Sequence, residues 1–211
     1  MHTFSALPTL CLASSSRYRQ TLLQRLCIPF ITAVPNIDES PLIHEQPEST
    51  AQRLALTKAQ AVGQQNSDTN MLIIGSDQVA CVGNQLLGKP GNHAQALSQL
   101  QTMRGRSVIF YTALCLLDCR NQKTYQALIP THVKMRWLAD DMLNTYLHIE
   151  QPYDCAGSAK SEGLGIVLIE SIQSDDPTAL VGLPLIALTD LLSQAGYPPL
   201  QLLSTENPPK G

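Results

Sequence analysis

The readable pattern starts with a short apolar run, Leu10-Cys11-Leu12-Ala13, followed at once by Ser14-Ser15-Ser16. Leu22, Leu23 and Leu26 then recur on one helical face, so a strand, a polar turn and a helix over residues 17–26 are expected, with the serines as caps. Residues 30–34 predict a second strand, 36–47 a loop, and 49–62 a helix with Leu54, Ala55 and Ala59 on its apolar side. Residues 71–74 are wholly apolar and are expected to end as a strand at Gly75-Ser76-Asp77-Gln78. Apolar character resumes over 79–82, and Gly83-Asn84 reads as a hairpin turn. Further on come a helix over 93–103, a long strand over 108–117 and its antiparallel partner over 125–136. A helix over 140–149, a loop over 157–165, a strand over 166–169 and a last helix over 183–195 complete the pattern, before a polar tail from Ser204.

Strands alternate with helices, but the long hairpin breaks strict β-α-β order. The expected fold class is therefore α/β, with a mixed sheet. One domain over residues 1–204 and a polar C-terminal tail over 205–211 are expected.

Composition narrows the function. The chain has 211 residues, 44% of them hydrophobic, which excludes a disordered protein. A net charge of −3 argues against a nucleic-acid or anionic-membrane partner. No apolar run approaches bilayer length, and Met1-His2-Thr3 lacks the basic start of an export signal. The six cysteines are scattered without a Cys-x-x-Cys pair, as expected of a reducing, cytoplasmic compartment.

Four polar clusters are each expected at the end of an apolar strand, where open α/β sheets carry ligands. Ser14-Ser15-Ser16-Arg17-Tyr18-Arg19 offers hydroxyls and arginines at a helix start, a cradle for phosphate or simply a capped surface helix. Asp38-Glu39 offers two acids for a divalent cation, or a solvated turn. Asp77 follows a buried strand, where burial raises a carboxyl pKa and a nearby cation lowers it. The segment from Asp154 to Gly165 has glycines that admit a close ligand, with Lys160 and Glu162 two apart and on one face if extended. Lys58 and Lys89 are isolated lysines, for which the surface is the default. His44, His93, His132 and His148 have no ligand spacing and read as non-catalytic. The Ser14–Arg19 cluster is not a Walker A loop, and no Gly-x-Ser-x-Gly elbow is present.

Taken in order, several pieces resemble the Maf family of nucleotide pyrophosphatases over roughly residues 9–200. They are Leu12-Ala13-Ser14-Ser15-Ser16 with Arg19, Ile37-Asp38-Glu39, Lys58-Ala59, Ile74-Gly75-Ser76-Asp77, Gly88-Lys89-Pro90 and Thr112. Ala156-Gly157, Gly163-Leu164-Gly165 and Val181-Gly182-Leu183-Pro184-Leu185 continue the series. The resemblance implies a long twisted mixed sheet flanked by helices, with two lobes around a central cleft. It implies hydrolysis of a nucleoside triphosphate to the monophosphate and pyrophosphate, helped by Mg²⁺ or Mn²⁺. By the same resemblance Asp77 is the base, Ser14, Arg19, Glu39, Lys58 and Lys89 line the phosphates, and Glu39 and Asp77 lie at the cation. A homodimer is also compatible with it. Arg17 stands where the family usually has proline, which removes a rigid first helical residue.

Tyr18, Gln78 and Glu162 resemble the branch of the family that acts on 7-methyl-GTP, and argue against the dTTP/UTP branch. The implied role is removal of modified nucleotides before they enter nucleic acid. A 7-methylguanine ring is cationic, so an aromatic face attracts it and a carboxylate complements it. Gln78 is expected to supply one donor and one acceptor to the base. An inosine triphosphate pyrophosphatase and a non-catalytic nucleotide-binding regulator of cell division remain as alternatives.

Overall fold

The computed structural model describes residues 7–83 and 85–206. Its centre is a seven-stranded mixed sheet, ordered β2-β1-β3-β5-β6-β7 with β4 also on β3. In chain order the strands are β1 (Thr9–Ala13), β2 (Ile31–Ala33), β3 (Met71–Val82), β4 (Gln85–Leu87), β5 (Ser107–Asp118), β6 (Lys123–Met135) and β7 (Ile169–Gln173). The helices are α1 (Arg17–Gln24), α2 (Pro47–Gln65), α3 (His93–Met103), α4 (Asp140–Glu150), α5 (Leu185–Gln194) and α6 (Pro199–Glu206). The sheet thus mixes parallel β2-β1-β3 with antiparallel β3-β5-β6-β7, as the chain pattern predicts. No helix among the described residues is long and apolar enough to cross a membrane.

The alternating side-chain directions of a strand explain the layers. Leu10, Leu12, Leu72 and Ile74 point to one face, where they join Leu22, Leu23, Leu188 and Leu192 of α1 and α5. Cys11, Ala13 and Ile73 point to the other, against Ala51, Ala55 and Ala59 of α2. That row of alanines, one helical turn apart, lets α2 lie close on the sheet. At Gly75 the approach is closest, because an added Cβ would stand 2.1 Å from the Ala55 carbonyl oxygen. A third cluster joins the far halves of β3, β5 and β6 to α3 and α4 through Leu100, Met103, Phe110, Val133 and Leu147.

Several expectations need correcting. β3 does not stop at Gly75-Gln78, because β5 pairs with it without interruption from Leu72 to Cys81. Asp77 is therefore a mid-strand residue. Residues 164–168 form a 3-10 helix, and the strand begins only at Ile169, where β6 offers a partner. The last long helix starts at Leu185, after a separate 3-10 turn Ala179–Val181. The chain also continues helically past Ser204 in α6. Asn84 of the expected hairpin turn and residues 207–211 of the expected tail lie outside the described residues.

Candidate active site

The cleft floor is a gap in the sheet. On one edge of β3, β1 pairs only as far as Ile74, and β4 takes over only at Ala80. Between them Gly75-Ser76-Asp77-Gln78-Val79 has no strand neighbour on that side among the described residues, while β5 holds its other side. A cleft of about 940 Å³ opens here. Ser14, Tyr18, Arg19, Glu39, Lys58, Asp77, Gln78, Lys89 and Glu162 all line it. The structure thus brings these nine residues together, whereas Asp38, the other acid of the expected cation pair, does not line the cleft and its Oδ1 accepts from the Ser40 N–H at 2.9 Å. The Asp154–Gly165 segment reaches the cleft from the end of α4 and not from a strand.

At the centre Lys58 donates a 2.6 Å hydrogen bond to Asp77 Oδ1, and its Nζ is 2.9 Å from Glu39 Oε1. Lys58 is 5% exposed and Asp77 6%, so neither is a surface group. Burial pushes the Asp77 carboxyl above its ordinary pKa, and the charges of Lys58 and Arg19 only partly offset it. For Glu39 burial acts upward too, but the Lys58 hydrogen bond and the charges of Lys58, Lys89 and Arg19 prevail and hold it low.

Two anchors fix the surroundings. Arg53 of α2 grips Glu45 with two 2.7 Å hydrogen bonds, from Nε and Nη2, and donates a third at 3.1 Å to the Ser40 carbonyl. Residues 36–46, which carry Glu39, are thereby tied to the helix that carries Lys58. Arg19 Nε and Ser76 Oγ both donate to the Gly182 carbonyl, at 2.8 and 2.9 Å. Ser16 caps α1 by accepting from the Arg19 N–H at 3.4 Å. Burial lowers the Arg19 pKa, and Asp77 and Glu39 oppose that effect.

Beside this cationic centre lies a more acidic end. Burial raises the Tyr18 phenol; Cys155, Asp154 and Glu162 add to the shift and Lys160 opposes it, so these groups share one neighbourhood. Gln78 corrects an expectation. Its Nε2 donates to Thr112 Oγ1 at 2.9 Å, to the Ala179 carbonyl at 3.0 Å and to the Leu180 carbonyl at 3.1 Å. The amide donor is spent inside the protein, and only Oε1 is left to serve a ligand, as an acceptor. Residues 161–163 form a turn, not an extended segment, and Lys160 turns to Glu150 at 2.6 Å.

The model of Maf-like proteins matches residues 9–195. The chain belongs to the Maf family. It is 58% identical over 191 residues to the 7-methyl-GTP pyrophosphatase of Cupriavidus metallidurans, covering 90% of this chain and 95% of the relative. The protein of that name from Paraburkholderia xenovorans is 59% identical over 192 residues, covering 90% and 94%. The one from Nitrosococcus oceani is 55% identical over 193 residues, covering 92% and 96%.

In this Maf protein the donors suit a divalent cation that phosphate oxygens complete. Asp77 and Glu39 both face Lys58 Nζ, and each retains a second carboxylate oxygen. No group of three or more His, Cys, Asp or Glu side chains that could hold a metal stands together among the described residues. Magnesium is commonly held by one or two carboxylates and the substrate's own phosphates. Sequence reasoning missed Glu150, Arg53 and the Gly182 carbonyl. A backbone oxygen carries no residue signature, and the two ion pairs join positions eight and ten residues apart through loops.

Proposed function

We propose that this protein hydrolyses 7-methyl-GTP to 7-methyl-GMP and pyrophosphate, removing a modified nucleotide before it can enter nucleic acid. The observation that carries the reading is the polarity of one cleft. Arg19, Lys58 and Lys89 surround Glu39 and Asp77 at one end; Asp154 and Glu162 lie near Tyr18 at the other, where the one cation among them, Lys160, is paired with Glu150. A 7-methylated guanine nucleotide has the matching polarity, an anionic triphosphate on a cationic base. The names of the relatives point the same way.

In this mechanism Ser14, Arg19, Lys58 and Lys89 bind the phosphates. Asp77 orients a water and accepts its proton as the oxygen bonds to the α-phosphorus. The bond from that phosphorus to its bridging oxygen breaks, and pyrophosphate leaves with the electron pair. The raised pKa of Asp77 makes it a better base than an exposed carboxylate. Lys58 orients its carboxylate and screens the incoming charge. A divalent cation held through Asp77, Glu39 and phosphate oxygens would neutralise phosphate charge and stabilise the leaving group. At the base end Tyr18 offers an aromatic face, Glu162 accepts from the guanine edge, and Gln78 accepts through Oε1.

Pyrophosphate release from 7-methyl-GTP, GTP, dTTP, UTP, CTP and ITP, with magnesium and with EDTA, tests the reading. Magnesium-dependent preference for 7-methyl-GTP is the expected result. Preference for dTTP or UTP would discard the roles of Tyr18, Gln78 and Glu162 and keep that of Asp77.

A further inference from the structure

Lys160 presents a difficulty for a cationic base. Its Nζ stands over the Tyr18 ring, 5.8 Å from the centroid. An unbalanced ammonium this close to the ring would repel the positive charge of a 7-methylguanine stacked on Tyr18. The fold supplies a counter-charge. Glu150, the last residue of α4, accepts from Lys160 Nζ at 2.6 Å through Oε1 and from the Leu164 N–H at 2.7 Å through Oε2. The Glu150 hydrogen bond raises the Lys160 pKa and, with the Leu164 N–H, lowers that of Glu150, so both stay charged.

The turn is shaped around this pair. A Cβ at Gly163 would meet both Glu150 carboxylate oxygens at 2.9 Å, and one at Gly165 would lie 2.4 Å from the Lys160 carbonyl oxygen. Tyr146, also on α4, donates to the Ser158 carbonyl at 2.8 Å and accepts from the Lys160 N–H at 3.2 Å. Helix α4 thus fixes both ends of the segment that delivers Lys160 and Glu162 to the cleft.

We propose that Glu150 is a positioning residue for base selection: by neutralising Lys160 it keeps the Tyr18 face open to a cationic base, and so favours 7-methylated over unmethylated guanine. The inference rests on the 7-methyl-GTP reading above. Its signature is the ratio of kcat/KM for 7-methyl-GTP to that for GTP, because a purely structural loss would lower both together.

The test measures that ratio for wild type, Glu150→Gln, Lys160→Met and the double variant. Glu150→Gln keeps the shape and removes the hydrogen-bonded counter-charge of Lys160, leaving only the weaker attraction of Glu162, so the ratio should fall about tenfold, mainly through KM for 7-methyl-GTP. Lys160→Met should hold or raise the ratio, and the double variant should recover most of the loss. An unchanged ratio in Glu150→Gln would overturn the proposal. If Glu150→Gln does not fold, Lys160→Met decides, because a fall in its ratio contradicts the account. A wild-type enzyme with no preference for 7-methyl-GTP would instead remove the functional reading on which the inference stands.

Discussion

Lys58 and Asp77 meet at 2.6 Å inside the protein, one from a helix and the other from the middle of a strand. The carboxylate is nevertheless poised as a base, because burial raises its pKa more than the lysine lowers it. Activity should therefore rise with pH through a carboxyl pKa above the ordinary 3.8. The same shift has a stability cost. The folded state holds the Asp77 proton more tightly than the unfolded chain, so stability should fall as pH rises from 3.8 to the raised value. Asp77→Asn should remove that slope, keep the fold and lower kcat by about 10²–10⁴-fold. Urea titrations across pH, beside a pH–rate profile, check both. A wild-type acid limb at an ordinary carboxylate pKa would contradict the assignment.

Gly75 is what allows α2 to deliver Lys58 so close. A methyl group at this position would overlap the Ala55 carbonyl, which belongs to helix backbone and cannot turn aside. Gly75→Ala should cost about 3 kcal/mol, the upper end for overpacking. Turnover should fall beyond what the stability loss explains, because the displaced helix carries Lys58 away from Asp77. Urea midpoints and kcat on the same preparation separate the two effects.

Much of this arrangement was legible in the chain. The two-residue alternation of Leu10, Leu12, Leu72 and Ile74 against Cys11, Ala13 and Ile73 announces a sheet covered on both faces. The polar clusters that interrupt the apolar runs all reach one cleft. The sequence misled at Asp77, where polar residues look like a strand end. Strand pairing is decided by a neighbour, and β5 arrives from more than thirty residues away. The spent amide of Gln78 was invisible for a similar reason, since its acceptors lie on Thr112 and on the backbone of residues 179–180.

Gln78→Met tests that use of the amide. It strips a donor from three acceptors, though the Ala179 carbonyl keeps the Thr112 hydroxyl as a second donor. The expected destabilisation is about 1–3 kcal/mol. Loss of Oε1 should also raise KM for guanine nucleotides more than for UTP. A thermal melt and KM values for GTP, 7-methyl-GTP and UTP give the two readings.

Asp176, 1% exposed, holds the segment on which Arg19, Ser76 and Gln78 all depend. Its Oδ2 accepts from the N–H groups of Ile186 and Ala187 at 2.7 and 3.2 Å, and its Oδ1 accepts from the Thr178 N–H and hydroxyl at 3.0 and 2.7 Å. Asp176→Ala should cost about 2–3 kcal/mol, as for a lost helix cap that also leaves buried donors unpaired. Its activity should fall through weaker phosphate binding, seen as a higher KM. Asp176→Asn, which keeps one acceptor oxygen, should recover part of both.

The central claim is water attack at the α-phosphorus of 7-methyl-GTP. Turnover in water enriched in heavy oxygen, with mass spectrometry of both products, tests it most directly. One heavy oxygen in 7-methyl-GMP and none in pyrophosphate is the predicted result. Label in the pyrophosphate, release of orthophosphate in its place, or no turnover by the folded wild-type protein with magnesium would contradict the account.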